Sequence, residues 1–373
     1  MVKRVGVIGG GQLAWMMATP AKKLGLDLLV QTPSPQDPAV AIAQATVFAP
    51  VADAQSTATL AQQAEVITFE NEFVDLAALA QLAHQGTCFR PSIQALVPLL
   101  DKYEQRCFLR DCHLPTPAFS KLETFTPTTF PVVLKTRRHG YDGQGTFIIK
   151  DAASWDATLE KLKGIDLLVE EFVPFQRELA VMAARSLSGE IVVYPVVETQ
   201  QKNQVCHTVI APADISDAVQ QAVVAIAHTL LESLQVVGIF GVELFLTADD
   251  RVLVNEIAPR THNSGHYTIE ACQTSQFEQQ LRAVCGLPLG NPALTCAAAV
   301  MVNLLGYEQA THDYAEVRSR LSAIPNAFVH WYGKAESRPG RKLGHVTVML
   351  ESREIAIKTA QAIEAIWYES AAH

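Results

Sequence analysis

GIFGVELFLTADDRVLVNEIAPR, residues Gly238–Arg260, is the stretch whose reading decides the fold. VELFLT and RVLVNEI are apolar runs of strand length on either side of the turn ADDR, and they predict a β-hairpin. If Ala248–Arg251 form a four-residue loop, Thr247 pairs with Val252 and Glu243 stands directly opposite Glu256. Facing Cβ atoms on an antiparallel pair lie about 4.5–5.5 Å apart, so two like charges there repel and something must compensate. Basic neighbours are one answer. A divalent cation is a better one, and hard oxygen donors favour magnesium with phosphate oxygens completing its shell. The competing reading is a solvated hairpin face in another register. Strict alternation points Asn255 away from Glu256, so joint use of the two requires a bulge.

Upstream, HGYDGQGTFII (His139–Ile149) places Gly140, Gly143 and Gly145 within six residues, between the apolar run Val132–Leu134 and a second apolar run. Lys135 ends the first run. A strand–glycine loop–strand hairpin can fold its amides over a polyphosphate, because glycine lets the backbone approach closely. No helix or GK[ST] follows, so this is not a Walker loop. A surface hairpin with an ordinary strand-end lysine is the plainer reading, and the conjunction of loop and lysine favours phosphate binding.

The first hundred residues alternate short strands with helical patterns: RVGVIGG, LDLLVQT, TVFA and EVITFE separated by alanine-rich segments. This is the rhythm of a doubly wound parallel sheet. GGGQLA (Gly9–Ala14) fits G-x-G-x-x-A between a strand and a helix, where helix amides face an anion. A dinucleotide site also asks for an acid at the end of the second strand, and Gln31 stands there instead. The turn therefore reads as an anion site for a phosphorylated or carboxylated substrate, with a plain packing turn as the alternative.

Beyond this segment, ALVPLLDKYEQRCFLRDCHL predicts one helix. Strands follow in PVVLKT, GTFIIK, DLLVEEFV, ELAVMAAR and EIVVYPVVET, with one helix around Trp155–Lys163. A helix over Ile215–Gln235 carries Val219, Val223, Ile226, Leu230 and Leu234 at three- and four-residue spacing. From about Pro292 the chain mixes strands such as AAAVMVNLLG and GHVTVMLE with a last short helix.

The chain of 373 residues is 49% hydrophobic and 18% charged, which supports a large core in two or three units. The formal net charge of −9 and the lack of a lysine or arginine block argue against a nucleic-acid binder. No apolar run is long enough to span a membrane, and glycines interrupt MVKRVGVIGGG at once, so no leader is expected. Seven scattered cysteines without a CxxC pair read as reduced thiols in a cytoplasmic protein.

In order, GGGQLAWM, VITFENEFVD, RPSIQAL, VVLKTRRHGYDGQG, VEEFVPFQRE, GVELF, NEIAPRTHNSGHYT and HWYGKAESRPGRKLGHV resemble the ATP-grasp superfamily. More closely, the chain is similar to the N5-carboxyaminoimidazole ribonucleotide synthetase family of purine biosynthesis, over nearly its whole length. The resemblance implies an α/β and α+β ATP-grasp fold in three parts. These are a Rossmann-like domain over residues 1–98, an ATP-grasp domain over 99–290 (a lid subdomain at 118–175, a central part at 176–290) and a small, mainly-β domain over 291–373. It implies carboxylation of 5-aminoimidazole ribonucleotide with bicarbonate at the expense of ATP, through carboxyphosphate, in a homodimer with no nucleic-acid or membrane partner.

By the same resemblance, ATP contacts Lys102, Lys135, Gly140, Tyr141, Asp142, Gly143, Gln144, Gly145, Thr146, Glu170, Glu171, Phe172, Val173, Glu178, Gln201, Asn255 and Glu256, with Glu178 holding the ribose hydroxyls. Mg²⁺ is carried by Glu243 and Glu256. Gly11, Gln12, Leu13, Glu70, Glu72, Asn263, Ser264, Lys334 and Arg341 face the other substrate, the last two gripping its 5′-phosphate. Relatives usually have Gly-Arg where Ala14 and Trp15 stand, an arginine at Lys102, and a histidine at Gln201.

The residues themselves suit this chemistry. Arg260 can hold bicarbonate or the phosphoryl group in a planar fork. His262 and His266 are polar contacts, proton carriers or structural histidines. Glu70 and Glu72 lie at a strand end, where open parallel sheets bind ligands, and read equally as substrate contacts or helix-capping acids. The stretch WYGKAESRPGRKLGHV gathers Lys334, Arg338, Arg341, Lys342 and His345 as a basic cluster that invites an anion. The rival readings are another ATP-grasp ligase, formate- or biotin-using, and a nicotinamide oxidoreductase built on GGGQLA.

Overall fold

The computed structural model describes residues 2–138, 145–202 and 204–369. Its first four strands, β1 (Arg4–Ile8), β2 (Asp27–Thr32), β3 (Ala45–Phe48) and β4 (Val66–Phe69), form a parallel sheet in the order β3-β2-β1-β4. The strands read as continuous apolar runs because both faces are covered. Val5, Val7, Leu28 and Val30 pack on one side, and Ile8, Leu29, Ile67 and Phe69 on the other.

A second sheet, in the order β5-β8-β6-β7, contains β5 (Phe119–Lys121), β6 (Val132–Thr136), β7 (Thr146–Ile149) and β8 (Leu167–Glu171). Leu134, Val169 and Ile149 pack beneath it against Trp155 of the helix Ala152–Lys161.

The central sheet of nine strands joins β9 (Phe175–Arg185), β10 (Ile191–Val193), β11 (Val197–Lys202), β12 (Val205–Ala211), β13 (Gly238–Thr247), β14 (Val252–Ala258), β15 (Ala298–Leu305), β16 (Ala327–Trp331) and β17 (Lys342–Leu350). The long helix Asp217–Leu234 starts at the cap Ser216, whose side chain accepts the Val219 amide, and buries the expected Val219, Val223, Ile226, Leu230 and Leu234 against this sheet.

Two sequence expectations are corrected. The single helix expected from Ala95 to Leu114 is two, Ile93–Leu96 and Lys102–Asp111. Pro98 lies between them, and Asp101 caps the second by accepting the Tyr103 and Glu104 amides. The strand expected over EIVVYPVVET is β10 and β11, interrupted around Pro195, where Tyr194 turns into the core and donates to Thr274 O at 3.0 Å. The C-terminal strands join the central sheet, since β15 pairs antiparallel with β12.

The helix Gln276–Cys285 shares no strand with the N-terminal sheet, yet its Phe277, Leu281 and Val284 fill the same core as Val5, Leu13 and Val30. From that helix Gln280 donates to Thr68 Oγ1 at 2.7 Å and accepts the Ile239 amide at 2.7 Å, tying β4 to β13. These contacts fix the N-terminal strand ends against the central hairpin. All seven cysteines are free thiols. No helix among the described residues is long and apolar enough to cross a membrane.

Candidate active site

The β13–β14 hairpin does bring Glu243 opposite Glu256, but by a different route from the simple register. Leu246, not Thr247, pairs with Val252, which lengthens the loop by one residue. An irregularity between Glu243 and Leu244 then absorbs Asn255 as an extra residue and restores the Glu243–Glu256 pair. The same bulge turns Asn255 toward β6, where its Oδ1 accepts from Lys135 Nζ at 3.0 Å.

A buried charge network joins the two sheets. Lys135 Nζ on β6 lies 2.8 Å from Glu170 Oε2 on β8, and Arg106 binds the other oxygen of Glu170 while donating to Asn255 O at 2.6 Å. Burial alone would raise the Glu170 carboxyl, but Arg106 and Lys135 outweigh it and hold the group at about 2. Burial draws the Lys135 ammonium below its ordinary value, against the pull of Glu170. Lys102 Nζ lies 2.5 Å from Glu256 Oε1; burial raises Glu256, and Lys102 more than reverses it. Glu243 has no such lysine: burial and then the Glu256 charge push it up to about 7. Glu178, on β9, is also pushed up to about 7, by burial.

Gly145, at the start of β7, has φ +87°, and a Cβ there would stand 2.3 Å from Thr136 Oγ1, so this loop end requires glycine. Thr146 pairs with Lys135 across β6–β7. Glu171 accepts the Ala118 amide at 2.9 Å, Phe172 is partly exposed and Val173 is buried at the turn into β9. Gly140, Tyr141, Asp142, Gly143 and Gln144 lie outside the described residues.

On the other side of the Glu243–Glu256 pair a cleft of about 710 Å³ opens between the N-terminal strand ends and the C-terminal loops. It is lined by Gln12, Leu13, Glu70, Glu72, Gln201, Glu243, Glu256, Arg260, His262, Asn263, His266, Lys334 and Arg341 of the expected residues. Gly11 and Ser264 are not on its wall: Gly11 sits behind Glu70, and Ser264 Oγ bonds His262 Nδ1 at 2.9 Å. Arg260 forks onto both carboxylate oxygens of Glu72. His262 Nε2 approaches Glu243 Oε1 at 3.5 Å, and burial, with Arg260 and Lys342 nearby, lowers the imidazole to about 4.

Gln276 was invisible in the sequence and organises this loop. Its Oε1 accepts the His262 amide at 2.9 Å, and its Nε2 donates to His262 O at 2.7 Å. With the amide oriented by those two main-chain groups, Nε2 donates to His266 Nδ1 at 3.1 Å. His266 is therefore the neutral tautomer carrying its proton on Nε2.

The GGGQLA turn holds Glu70: its carboxylate accepts the Gly11 and Leu13 amides, and a Cβ on Gly11 would fall 2.5 Å from Glu70 Oε1. Glu70 caps the turn and also lines the cleft. One expectation fails here. His345 does not belong to the cationic cluster. It is fully buried, accepts or donates at Tyr332 OH through Nδ1 at 2.8 Å, and burial drives its pKa well below the ordinary value. Of that cluster, Lys334, Arg338, Arg341 and Lys342 face the cleft. Lys334 Nζ donates to Lys342 O at 2.7 Å and Arg341 to Glu336 O at 2.8 Å, which ties this loop to itself beside the cleft. Gln31, the residue that weakened the dinucleotide reading, is a core group bonded to Pro50 O and Thr57.

Residues 2–97 match the ribonucleotide synthetase preATP-grasp domain, 108–277 the ATP-grasp domain and 299–359 the phosphoribosylaminoimidazole carboxylase C-terminal domain. A protein of Synechococcus elongatus named N5-carboxyaminoimidazole ribonucleotide synthase is 56% identical over 98% of this chain and 96% of its own length. The chain belongs to the N5-carboxyaminoimidazole ribonucleotide synthase family. Two solved structures of this synthase family superpose on it. The Thermotoga maritima enzyme is 41% identical with a TM-score of 0.86 over 98% of both chains. The Aspergillus clavatus enzyme, solved with ADP and 5-aminoimidazole ribonucleotide, is 32% identical with a TM-score of 0.91 over 98% of this chain and 99% of that one. In this synthase-family chain the hairpin acids thus adjoin the Lys135–Glu170–Arg106 network and share a cleft with the basic C-terminal loop.

Proposed function

We infer that this chain is the ligase that carboxylates 5-aminoimidazole ribonucleotide with bicarbonate, consuming ATP and releasing ADP and phosphate. The observation that carries the reading is the position of Glu243 and Glu256. They stand between a lysine-lined junction of two sheets on one side and a cleft walled by Arg260, Lys334 and Arg341 on the other.

Bicarbonate is a poor electrophile. Transfer of the γ-phosphoryl group to one of its oxygens breaks the bond to the ADP oxygen and gives carboxyphosphate, a mixed anhydride. The exocyclic amine then gains the carbon, directly or from released CO₂, and phosphate leaves. Lys135, held by Glu170 and Asn255, supplies fixed positive charge to the nucleotide side. Glu178 suits ribose hydroxyls, since a half-buried carboxyl without a counter-charge gains from two hydrogen-bond donors. Arg260, paired with Glu72, is positioned for a planar anion such as bicarbonate. Lys334 and Arg341 suit the 5′-phosphate of the ribonucleotide.

Among the described residues no three acidic, histidine or cysteine side chains converge as a metal cage. Two facing carboxylates fit magnesium, which takes one or two carboxylates and completes its shell with phosphate oxygens and water. Glu243 and Glu256 would hold it, and it would neutralise charge on the transferring phosphoryl group. Free thiols throughout suit a cytoplasmic setting, and the family resemblance suggests a homodimer.

ADP release measured with ribonucleotide and bicarbonate omitted in turn tests the reading. Full release requires both. Release that formate or biotin sustains in place of bicarbonate, or that ignores the ribonucleotide, would replace it with another ATP-grasp ligase.

A further inference from the structure

Asn303 lies in β15, a strand that is otherwise hydrophobic throughout, and is 1% exposed. An amide buried there needs partners, and it has three bonds. Its Nδ2 donates to Cys206 O on β12 at 2.9 Å and to Asn263 Oδ1 at 2.7 Å, while its Oδ1 accepts from Asn263 Nδ2 at 2.9 Å. The orientation of both amides follows from one fact. A main-chain carbonyl only accepts, so the nitrogen of Asn303 must face Cys206. Its second hydrogen then points at Asn263 Oδ1, and its oxygen at Asn263 Nδ2. Rotating either amide by half a turn would oppose donor to donor and acceptor to acceptor.

Asn263 lines the cleft. With one N–H and one oxygen lone pair engaged by Asn303, it keeps one N–H and one lone pair for a ligand. We propose that Asn303 is a positioning residue that locks the Asn263 amide at the cleft wall, so that its remaining N–H and lone pair, which point to opposite flanks of the amide, are fixed for hydrogen bonds to a bound carboxylation substrate. The inference rests on the assignment of the cleft to the carboxylation substrates.

The test is a double-mutant cycle with Asn303→Ser and Asn263→Ala, reading KM for ribonucleotide, bicarbonate and ATP separately. Asn303→Leu, closer in shape but without polar atoms, is the harsher companion; circular dichroism establishes that each variant is folded, and Asn303→Ser serves if the leucine variant is not. Asn303→Ser should raise KM for the ribonucleotide or for bicarbonate about tenfold, the equivalent of one hydrogen bond, and leave KM for ATP within twofold. The substrate whose KM moves is the one gripped. In the Asn263→Ala background the same change should have less than about a twofold effect, because its target is gone. Additive losses, unchanged constants, or an equal rise in all three would overturn the positioning role in an active enzyme. Wild-type protein whose ADP release ignores ribonucleotide and bicarbonate would instead overturn the functional reading, and this inference with it.

Discussion

Glu243 and Glu256 face each other across the β13–β14 hairpin, yet the two carboxylates are electrostatically unequal. Lys102 holds Glu256 ionised, whereas burial and its charged neighbour push Glu243 up to about 7. A pair poised in this way has one permanent charge and a second that a divalent cation can call out. Like charges at such spacing call for a positive partner, which Lys102 supplies to Glu256 and which Glu243 lacks.

Glu256→Gln removes the permanent charge and the Lys102 partner together. Turnover should fall by about two orders of magnitude, the scale of losing one electrostatic group in a phosphoryl-transfer site. The Mg²⁺ concentration for half-maximal rate should rise. Near-normal ADP release at ordinary Mg²⁺ would remove the metal assignment.

Arg106→Leu leaves Glu170 buried with Lys135 as its one remaining ion-pair partner, and leaves Asn255 O without its guanidinium donor. Breaking a buried pair from one side costs about 3–5 kcal/mol. Urea denaturation should show a loss of that order, with the midpoint shifted and the slope unchanged. A loss below about 1 kcal/mol would mean that the network does not hold the lid to the hairpin.

Glu178→Gln tests the unpaired carboxyl on β9. The wild-type group has a folded value of about 7, above its ordinary 4.5. Protonated, it sits in its half-buried site without penalty; ionised, it does not, so the stability it contributes below 4.5 is lost as pH rises through about 7. Glutamine does not ionise. The variant's melting temperature relative to wild type should therefore rise between pH 4.5 and 7 and stay level above, measured without nucleotide. A constant difference across that window would refute the shift.

Arg341→Ala removes the planar donor from the C-terminal loop. KM for the ribonucleotide should rise at least about tenfold, matching the ~1.5–3 kcal/mol of a charge-assisted hydrogen bond, while the ATP constant stays put. Steady-state kinetics varying each substrate decides it: impairment toward ATP alone would place this loop in the nucleotide site.

How far the sequence reached is clearest at the hairpin. Two glutamates at matching distances from a turn announced their pairing, and the pairing is real. The register offered for it was wrong by one residue, and the bulge at Asn255 corrects it. A bulge is set by what the strand packs against, here the Lys135 and Arg106 network from the lid, and strand alternation alone does not contain it. His345 shows the same limit from another direction. Among lysines and arginines it reads as one more cation, but its strand carries it into the core, where desolvation keeps it neutral.

The sequence by itself determined the order of elements, the parallel N-terminal sheet, the amphipathic helix over residues 217–234 and the facing acids, since periodicity and turn chemistry are local. Tertiary structure alone decided that Glu70 fills the glycine turn, that Gln276 fixes the tautomer of His266 and that Asn303 sets the amide of Asn263. Each of these is a hydrogen bond between side or main chains far apart along the chain or on separate elements. Its partners carry no mutual spacing to read, and burial, which makes such bonds obligatory, exists only once the sheets and helices have closed on one another.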